Sequence, residues 1–152
     1  MIIINIFTVI VSFAFMEFIA WATHKFVMHG FLWTLHKDHH TKESSGFFEK
    51  NDFFFLIFAI PGMLLIYFGL NNGFDIMFFS GIGITLYGLA YFLVHEIFIH
   101  QRFKFLKKSE SGYFNAVRRA HKIHHKHLQK ENGECFGMLW VTSKFYKNTS
   151  QS

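Results

Sequence analysis

The stretch AWATHKFVMHGFLWTLHKDHH, residues 20–40, carries five histidines at the point where a long apolar segment ends. They follow the pattern H-x4-H and then H-x2-H-H, and the same order returns once, in residues 95–125. Ten of the 11 histidines therefore fall into two matched sets, and only His127 lies outside them. The first set is His24, His29, His36, His39 and His40, and the second is His95, His100, His121, His124 and His125.

Two copies of one histidine pattern indicate a site for two metal ions. Imidazole is a neutral nitrogen donor that suits iron, zinc and copper, and ten such donors exceed the needs of one ion. Cys135 is the only cysteine, so a thiolate site and an intramolecular disulfide are both excluded. The run from His95 to His100 has one residue more than the zinc-protease motif H-E-x-x-H, which makes a protease a weak interpretation.

The composition predicts an all-α protein embedded in a membrane. The chain is 51% hydrophobic and 20% aromatic, with 23 phenylalanines, which is more apolar surface than a soluble domain of 152 residues can bury. Residues 2–23, 53–70 and 74–94 are each about long enough to cross a bilayer of ~30 Å. The first lacks a basic start and a cleavage site, and is interpreted as a retained anchor. Pro61 and Gly62 allow a kink in the second.

Charge and histidine placement agree on a topology. All 15 lysines and arginines lie in residues 25–50 and 102–147, which three spans place on one face, the cytoplasmic one by the positive-inside tendency. Of about three to four membrane helices, three are favoured, because splitting 74–100 would put the histidine sets on opposite faces. We expect a single membrane-embedded domain, 1–152, with histidine-rich segments at 24–50 and 95–130.

The basic excess is compatible with two partners. Positive loops attract anionic lipid headgroups at the bilayer surface. Alternatively, Arg118, Arg119 and Lys122, beside the last histidines, would suit an acidic electron carrier. Nucleic acid is not an expected partner, because the basic residues flank the membrane spans and alternate with the histidines.

On an α-helix, the H-x4-H and H-x2-H-H motifs of each histidine set place their side chains differently. Residues i, i+3 and i+4 share one helix face, so each H-x2-H-H group forms a tight cluster. Residues five apart on a straight α-helix lie about 140° out of alignment. His24 and His29 therefore either serve two metals or lie on a helix that breaks, for which Gly30 is available. The same alternatives hold for His95 and His100.

Carboxylates near the histidines are candidate hydrogen-bond partners of the ligands, because a metal-bound histidine usually donates its other N–H to a carboxylate or carbonyl. The candidates are Glu17, Asp38, Glu96 and Glu134. Glu17 precedes His24 by seven residues and so shares its helix face. It also lies inside a span, where an ionisable group is a functional hypothesis by default.

Four stretches together resemble the bacterial β-carotene 3-hydroxylases, a family of the fatty-acid hydroxylase and sterol desaturase superfamily of membrane di-iron proteins. They are Met16-Glu17, residues 20–40, HEIFIHQRF at 95–103 and AHKIHHKHLQKENGECFGMLW at 120–140. The resemblance spans nearly the whole chain and includes all four histidine motifs. It departs at Glu96-Ile97-Phe98-Ile99, where the family often has a carboxylate followed by glycine, so substrate fit could differ.

The resemblance implies O2-dependent hydroxylation of carotenoid β-ionone rings at C3, taking β-carotene through β-cryptoxanthin to zeaxanthin. It implies two non-haem iron ions held by the ten histidines, a reduced ferredoxin or similar electron donor, and the bacterial cytoplasmic membrane. A sterol or fatty-acyl hydroxylase or desaturase, a non-catalytic metal protein such as a transporter or sensor, and a zinc hydrolase are the alternatives.

Aromatic and small residues in and beside the spans have two interpretations. Trp21, Trp33, Gly81, Gly83 and Gly88 could shape a tunnel for a rigid apolar substrate. The glycines are better explained by close packing of helices, and most of the phenylalanines by contact with lipid.

Overall fold

The computed structural model describes residues 1–41, 46–103 and 108–146, and every regular element in these ranges is helical. The α-helices are α1 (Ile2–Ala22), α2 (Trp33–Thr41), α3 (Phe53–Asn71), α4 (Ile76–Tyr91) and α5 (Gly112–His124). Two π-helical segments, Thr23–Phe31 and Phe92–Ile99, continue α1 and α4. Short 3-10 turns lie at Lys50–Asp52 and Ser143–Phe145. The prediction of an all-α fold is confirmed.

Three helices are long and apolar enough to cross a membrane, namely Ile2–Phe31, Lys50–Asn71 and Ile76–Ile99. The first and third end later than the predicted spans, at residues 31 and 99 rather than 23 and 94, because the π-helical segments continue them. The second is longer at both ends, and the third begins at residue 76 rather than 74. Pro61 lies within α3, which continues through it as one helix. Parts of the predicted histidine-rich segments, 42–45 and 104–107, and the chain end at 147–152 fall outside the described residues.

Small residues let α4 pack closely against both α1 and α3. A β-carbon at Gly83 would lie 2.6 Å from the Val9 carbonyl oxygen on α1. One at Gly81 would lie 2.8 Å from the Gly62 carbonyl oxygen on α3. These contacts support the packing interpretation of the two glycines. Around Gly88, in contrast, no described residue outside its own stretch of helix comes within 4 Å of the position of an added β-carbon.

A tight turn between α3 and α4 sets the topology of the three long helices. Gly73 has φ +80°, which glycine adopts without steric cost. Asp75 then caps α4 by accepting hydrogen bonds from the backbone N–H groups of Met77 and Phe78. This turn brings α4 back alongside α3. As a result, the ends of α1 and α4 that carry histidines lie at the same end of the bundle as the start of α3.

Candidate metal centre

The ten paired histidines converge on two adjacent clusters. In the first cluster, one ligand nitrogen from each residue lies within 4.8 Å of the others, and the members are His24, His29, His36, His40 and His124. In the second, His39, His95, His100 and His121 meet the same criterion. His125 belongs with the second cluster, because its Nε2 lies 2.8 Å from Nε2 of His121. Each cluster therefore combines four histidines of one sequence set with one from the other.

The π-helical segments explain how both members of an H-x4-H pair reach one cluster. Their hydrogen bonds join residues five apart, as from Leu32 N–H to the Val27 carbonyl and from His100 N–H to the His95 carbonyl. This wider turn brings residues i and i+5 to nearly the same face. The rings of His24 and His29 lie 5.2 Å apart, and those of His95 and His100 4.4 Å.

Gly30 ends the first π-helical segment with a backbone conformation outside the helical region, φ −106° and ψ −120°. The chain can therefore turn from the direction of α1 into α2. The spacing left two alternatives, a pair that serves two metals or a helix that departs from α geometry. The structure shows the second, and both histidines of each H-x4-H pair lie in one cluster.

The H-x2-H-H groups behave in the opposite way, since each is divided between the clusters. In α2, His36 and His40 face the first cluster, whereas His39 faces the second. In α5, His121 and His125 face the second cluster, whereas His124 faces the first. Each i, i+4 pair thus contributes to one cluster, and the residue at i+3 crosses to the other. The expectation that each group forms a single tight cluster was wrong in this respect.

The hydrogen bonds of the outer ring nitrogens fix the tautomers in the first cluster. Nδ1 of His24 lies 3.0 Å from the Phe136 carbonyl oxygen, and Nδ1 of His29 lies 3.1 Å from that of Lys130. Nδ1 of His124 lies 2.8 Å from the Glu134 carbonyl oxygen. Because a carbonyl oxygen can only accept, each Nδ1 carries the proton and each Nε2 presents a lone pair to the interior.

The inward Nε2 atoms lie as close together as the ligands of one metal ion. Those of His29 and His124 are 3.2 Å apart, although neither carries a proton with which to bond the other. Ligand nitrogens at about 2.1 Å from one ion, at right angles to each other, would be about 3.0 Å apart. The Nε2 atom of His36 lies 3.1 Å from the Nε2 atom of His24 and 3.1 Å from that of His40. The donor set therefore fits a nitrogen-ligated metal ion.

The loop after α5 supplies most of the outer contacts of the first cluster. The carbonyl oxygens of His127, Lys130, Glu134 and Phe136 accept from four of its rings, and Asn51 Oδ1, 2.7 Å from Nδ1 of His36, accepts from the fifth. All five acceptors are electrically neutral. Asn132 and Cys135 have positive φ values of 62° and 64°, so the loop adopts strained turns that direct its carbonyls at the rings.

The second cluster has charged outer contacts. Glu49 Oε2 accepts from Nδ1 of His39 at 2.7 Å, and Glu96 Oε1 accepts from Nδ1 of His95. Arg102 links these carboxylates, with Nε 2.8 Å from Glu96 Oε2 and Nη2 3.3 Å from Glu49 Oε2. Its Nη2 also lies 2.8 Å from Oδ1 of Asp52. A carboxylate–histidine–metal arrangement raises the basicity of the ligand.

Burial lowers the pKa of five clustered histidines outside the spans, so that they are neutral at physiological pH. It lowers the pKa of His36 to about 2, of His124 to about 3 and of His40 to about 4, since an imidazolium is poorly solvated there. The pKa values of His39 and His121 are also well below the ordinary value, for the same reason. Neutral imidazoles are the form that binds a metal.

A comparison with known families identifies the chain at this point. Residues 9–143 match the model of the fatty acid hydroxylase family. The chain belongs to the fatty acid hydroxylase family. The matched residues include all ten clustered histidines.

The relatives of the chain include bacterial and plant proteins. A β-carotene hydroxylase of Pantoea ananas is 39% identical over 137 residues, covering 90% of this chain and 77% of the relative. One from Paracoccus sp. (strain PC1) is 33% identical over 134 residues, 88% of this chain and 82% of the relative. A chloroplastic β-carotene 3-hydroxylase of an Oncidium hybrid cultivar is 41% identical over 127 residues, 82% of this chain but 41% of the relative. No solved structure matches the chain.

Of the four carboxylates expected beside the ligands, this hydroxylase uses only Glu96 in that way. Glu134 contributes its main-chain carbonyl, while its carboxylate lies 2.6 Å from Lys144 Nζ at the surface. Asp38 accepts from the Lys50 backbone N–H at 2.6 Å. Its other oxygen, Oδ1, is buried and has no hydrogen-bond partner among residues 1–41, 46–103 and 108–146.

Glu17 has a different position from the one expected. Its Oε1 accepts from the backbone N–H groups of Met138, Leu139 and Trp140, each at 2.9 Å, and its Oε2 accepts from the Tyr87 hydroxyl at 2.7 Å. The shared helix face gave the correct direction, but the partner is the chain after the carbonyl-donating loop rather than a ring. Glu17 thus ties that chain to α1.

Aromatic and basic residues complete the surroundings. The ring of Trp33 lies 5.0 Å from that of His29 and 5.2 Å from that of His40, as a wall of the first cluster. Arg118 donates to the Phe98 carbonyl oxygen and Arg119 to that of Phe145, so both guanidinium groups contact the main chain of the fold. Lys122, the third residue suggested for docking, is exposed.

Proposed function

We propose that the chain is a single membrane-embedded domain, 1–152, that hydroxylates carotenoid β-ionone rings at C3. The cofactors would be two non-haem iron ions, with O2 as co-substrate and a ferredoxin-type donor of electrons. The observation that carries the proposal is the pair of five-histidine clusters, which offers two neighbouring all-nitrogen sites. The names of the bacterial and plant relatives supply the substrate class.

The ten histidines would hold the irons, five to each ion. An unactivated C–H bond needs a stronger oxidant than any side chain, and two ferrous ions with O2 would supply it. The reaction balances as R–H with O2, two electrons and two protons giving R–OH and water. One electron pair from the donor is therefore required for each hydroxyl group.

The chain's own residues position and protect this chemistry. The carbonyls of the loop after α5, together with Asn51, Glu49 and Glu96, hold seven of the ten proposed ligands in the tautomer that turns Nε2 inward. Phe136 covers the first cluster, with its ring 5.1 Å from that of His29 and 5.4 Å from that of His124. Apolar rings at this place limit the access of water to the reacting centre.

We infer from the charge distribution that the clusters lie on the cytoplasmic side of a bacterial cytoplasmic membrane. The basic segments and the histidines occupy the same end of the three long helices. An acidic electron carrier would approach at that end. Since Arg118 and Arg119 both contact main-chain carbonyls, exposed lysines such as Lys122 and Lys126 are the better candidates for contact with it.

Two other functions predict different outcomes. A sterol or fatty-acyl hydroxylase of the same superfamily would use the same metal site but leave carotenoids unchanged. A transporter would need polar groups along the spans. Glu17, the clearest candidate for one, is already engaged by Tyr87 and three backbone N–H groups, which disfavours transport.

The test is pigment chromatography of a heterologous bacterium that accumulates β-carotene and expresses the chain together with a ferredoxin and its reductase. We expect new β-cryptoxanthin and zeaxanthin peaks, which are absent with His39→Ala. His127→Ala is the matched control, since it also removes one imidazole but not a proposed ligand. Unchanged β-carotene, with the wild-type chain in the membrane and carrying metal, would refute the carotenoid substrate.

A further inference from the structure

An apolar groove of about 880 Å³ lies between α1 and the chain that follows the carbonyl-donating loop. Ala14, Phe18 and Trp21 line it on the α1 side, and Phe136, Leu139 and Trp140 line it on the other. We propose that this groove binds the ring end of a rigid apolar polyene and presents it to the first cluster. The proposal rests on the carotenoid function proposed above and assigns the place of the substrate.

The groove leads directly to the first cluster. Ala14, Glu17 and Trp21 follow one another at helical spacing along one face of α1, and His24 comes one turn later. At the far side Phe136 closes the groove, and its ring lies 5.5 Å from that of His24. A ligand in the groove would therefore be separated from a ligating histidine by one aromatic side chain.

Close contacts hold Phe136 in this position. A β-carbon at Gly133 would lie 2.9 Å from the Phe136 ring, so the loop backbone leaves no room behind it for a larger residue. On the other side of Phe136, a β-carbon at Gly137 would lie 2.9 Å from the Trp140 carbonyl oxygen. The chain is thus folded tightly on both sides of Phe136, while the groove beside it remains open.

The position of the groove fits a ligand that arrives from the bilayer. Its α1 wall belongs to the first candidate span, which would place that wall beside lipid. Trp140, on the opposite wall, is 81% exposed, and Phe18 is 56% exposed. Large aromatic residues exposed at the membrane boundary leave a lateral entrance for an apolar molecule. The volume lies within the range of ~300–1,000 Å³ found for ligand pockets.

Cys135 allows the groove to be tested without turnover. It is the only cysteine of the chain, it is half-buried, and it lines the groove. Burial raises the pKa of its thiol to about 11, so its reaction with a maleimide is slow enough to follow at pH 8. A ligand in the groove should shield it.

The experiment measures the rate of maleimide labelling of Cys135 in the full chain, in lipid nanodiscs with and without β-carotene. A ligand present at ten times its Kd leaves about one site in eleven empty, so labelling should slow about tenfold. Squalene, an apolar chain without rings, is the control ligand and should protect far less. Equal protection by squalene would overturn the polyene assignment, and no protection by β-carotene would overturn the groove.

Variants separate this proposal from the proposed function. Ala14→Trp fills the groove and should abolish protection, with Ala14→Leu intermediate and Val11→Trp, at an exposed position of α1 outside the groove, unchanged. His39→Ala, which should lose hydroxylation, should still be protected, because His39 belongs to the second cluster. Pigments extracted from the same preparations report the reaction itself. If β-carotene is hydroxylated but does not protect Cys135 from labelling, only the proposed binding groove is refuted. If β-carotene protects Cys135 but is not hydroxylated, only the proposed function is refuted.

Discussion

The two histidine clusters have matching members but unlike surroundings. Each takes four histidines from one sequence set and one from the other, so the ligand sets are related by a pseudo-twofold exchange of His39 and His124. Around the first cluster, the outer acceptors are four main-chain carbonyls and an amide. Around the second, Glu49 and Glu96 accept from the rings and Arg102 joins them.

This difference shows that a repeated motif fixes the ligands of a site without fixing its electronic character. The two H-x4-H pairs lie on equivalent π-helical continuations of membrane helices, which makes the inner shells alike. Apart from Glu96, which lies on the second π-helical segment itself, the outer partners come from elements that have no counterpart in the other half. The loop after α5 supplies four carbonyls to the first cluster, and the turn before α3 supplies Asn51 to the first and Glu49 to the second. A carboxylate bonded to a ligating histidine makes it a stronger donor. The second cluster should therefore bind a divalent ion more tightly than the first.

Substitution of a single histidine by alanine should have the largest effect on metal content and hydroxylation. His124→Ala should empty the first cluster and His39→Ala the second, so each variant should bind one metal ion per chain instead of two. Hydroxylation should be lost in both, because a centre of two ions is interrupted. Elemental analysis of the purified proteins, loaded with iron under anaerobic conditions, measures the ratio.

The two variants are controls for each other. Because the second cluster has the carboxylate partners, the ion that remains in His124→Ala should resist a chelator longer than the one that remains in His39→Ala. Loss of both ions in each variant would mean that the clusters depend on one another, and the division into two five-histidine sites would fail.

Removal of one charge should weaken the second cluster selectively. Glu49→Gln retains an oxygen that can accept from His39 but lacks the negative charge. Loss of such an outer partner typically lowers metal affinity about 10–100-fold. Competition with a chromophoric chelator should show one weakened site and one unchanged site.

Asn51→Asp is the reciprocal change, since it places a carboxylate beside His36 in the first cluster. It should tighten the weaker site and bring the two affinities closer together. If Glu49→Gln weakens both sites equally, or Asn51→Asp has no effect, then the outer charges do not distinguish the clusters.

The sequence was sufficient to predict the helical fold, three helices long and apolar enough to cross a membrane, and histidine clusters able to hold metal, but not which histidine joins which cluster. Histidines at two repeated spacings leave a clear signal, and uncharged apolar segments leave another. The carbonyl groups that hold the first cluster could not be predicted, because any residue supplies a carbonyl and only the fold of residues 127–136 directs it. Glu49 follows its partner His39 by 10 residues and Asn51 follows its partner His36 by 15, too far along the chain for helix periodicity to connect them.

The division of each H-x2-H-H group between the two clusters could not be predicted from the sequence either. Residues i+3 and i+4 lie on one helix face, but they differ by 100° around the axis, which is enough to reach two neighbouring ions. Glu17 illustrates a similar limit. Its helix face predicted that it points toward the site, but only the folded chain reveals that three backbone N–H groups occupy its carboxylate.

Glu17→Gln should act on the first cluster from a distance. The carboxylate holds the chain next to the carbonyl-donating loop, and hydrogen bonds to a charged group contribute about 1.5–3 kcal/mol. We expect a loss of this order in the free energy of unfolding, and faster release of one of the two ions to a chelator. Tyr87→Phe, which removes one of the four hydrogen bonds to Glu17, should have a smaller effect of the same kind. Faster release of both ions would show that the loop supports the whole centre.

His127→Ala is expected to have the smallest effect, and it tests whether the first cluster has a further ligand. The main-chain carbonyl of His127 accepts from Nδ1 of His40 at 2.9 Å, and an alanine supplies the same carbonyl. A surface substitution that leaves such contacts intact usually changes stability by less than about 0.5 kcal/mol. Both ions and full hydroxylation should therefore be retained, as measured by elemental analysis and pigment chromatography. The imidazole of His127 nevertheless lies near enough to His40 to contribute to the lowering of its pKa. Loss of one ion in this variant would make His127 a sixth ligand, and the two clusters would then differ in their inner shells as well.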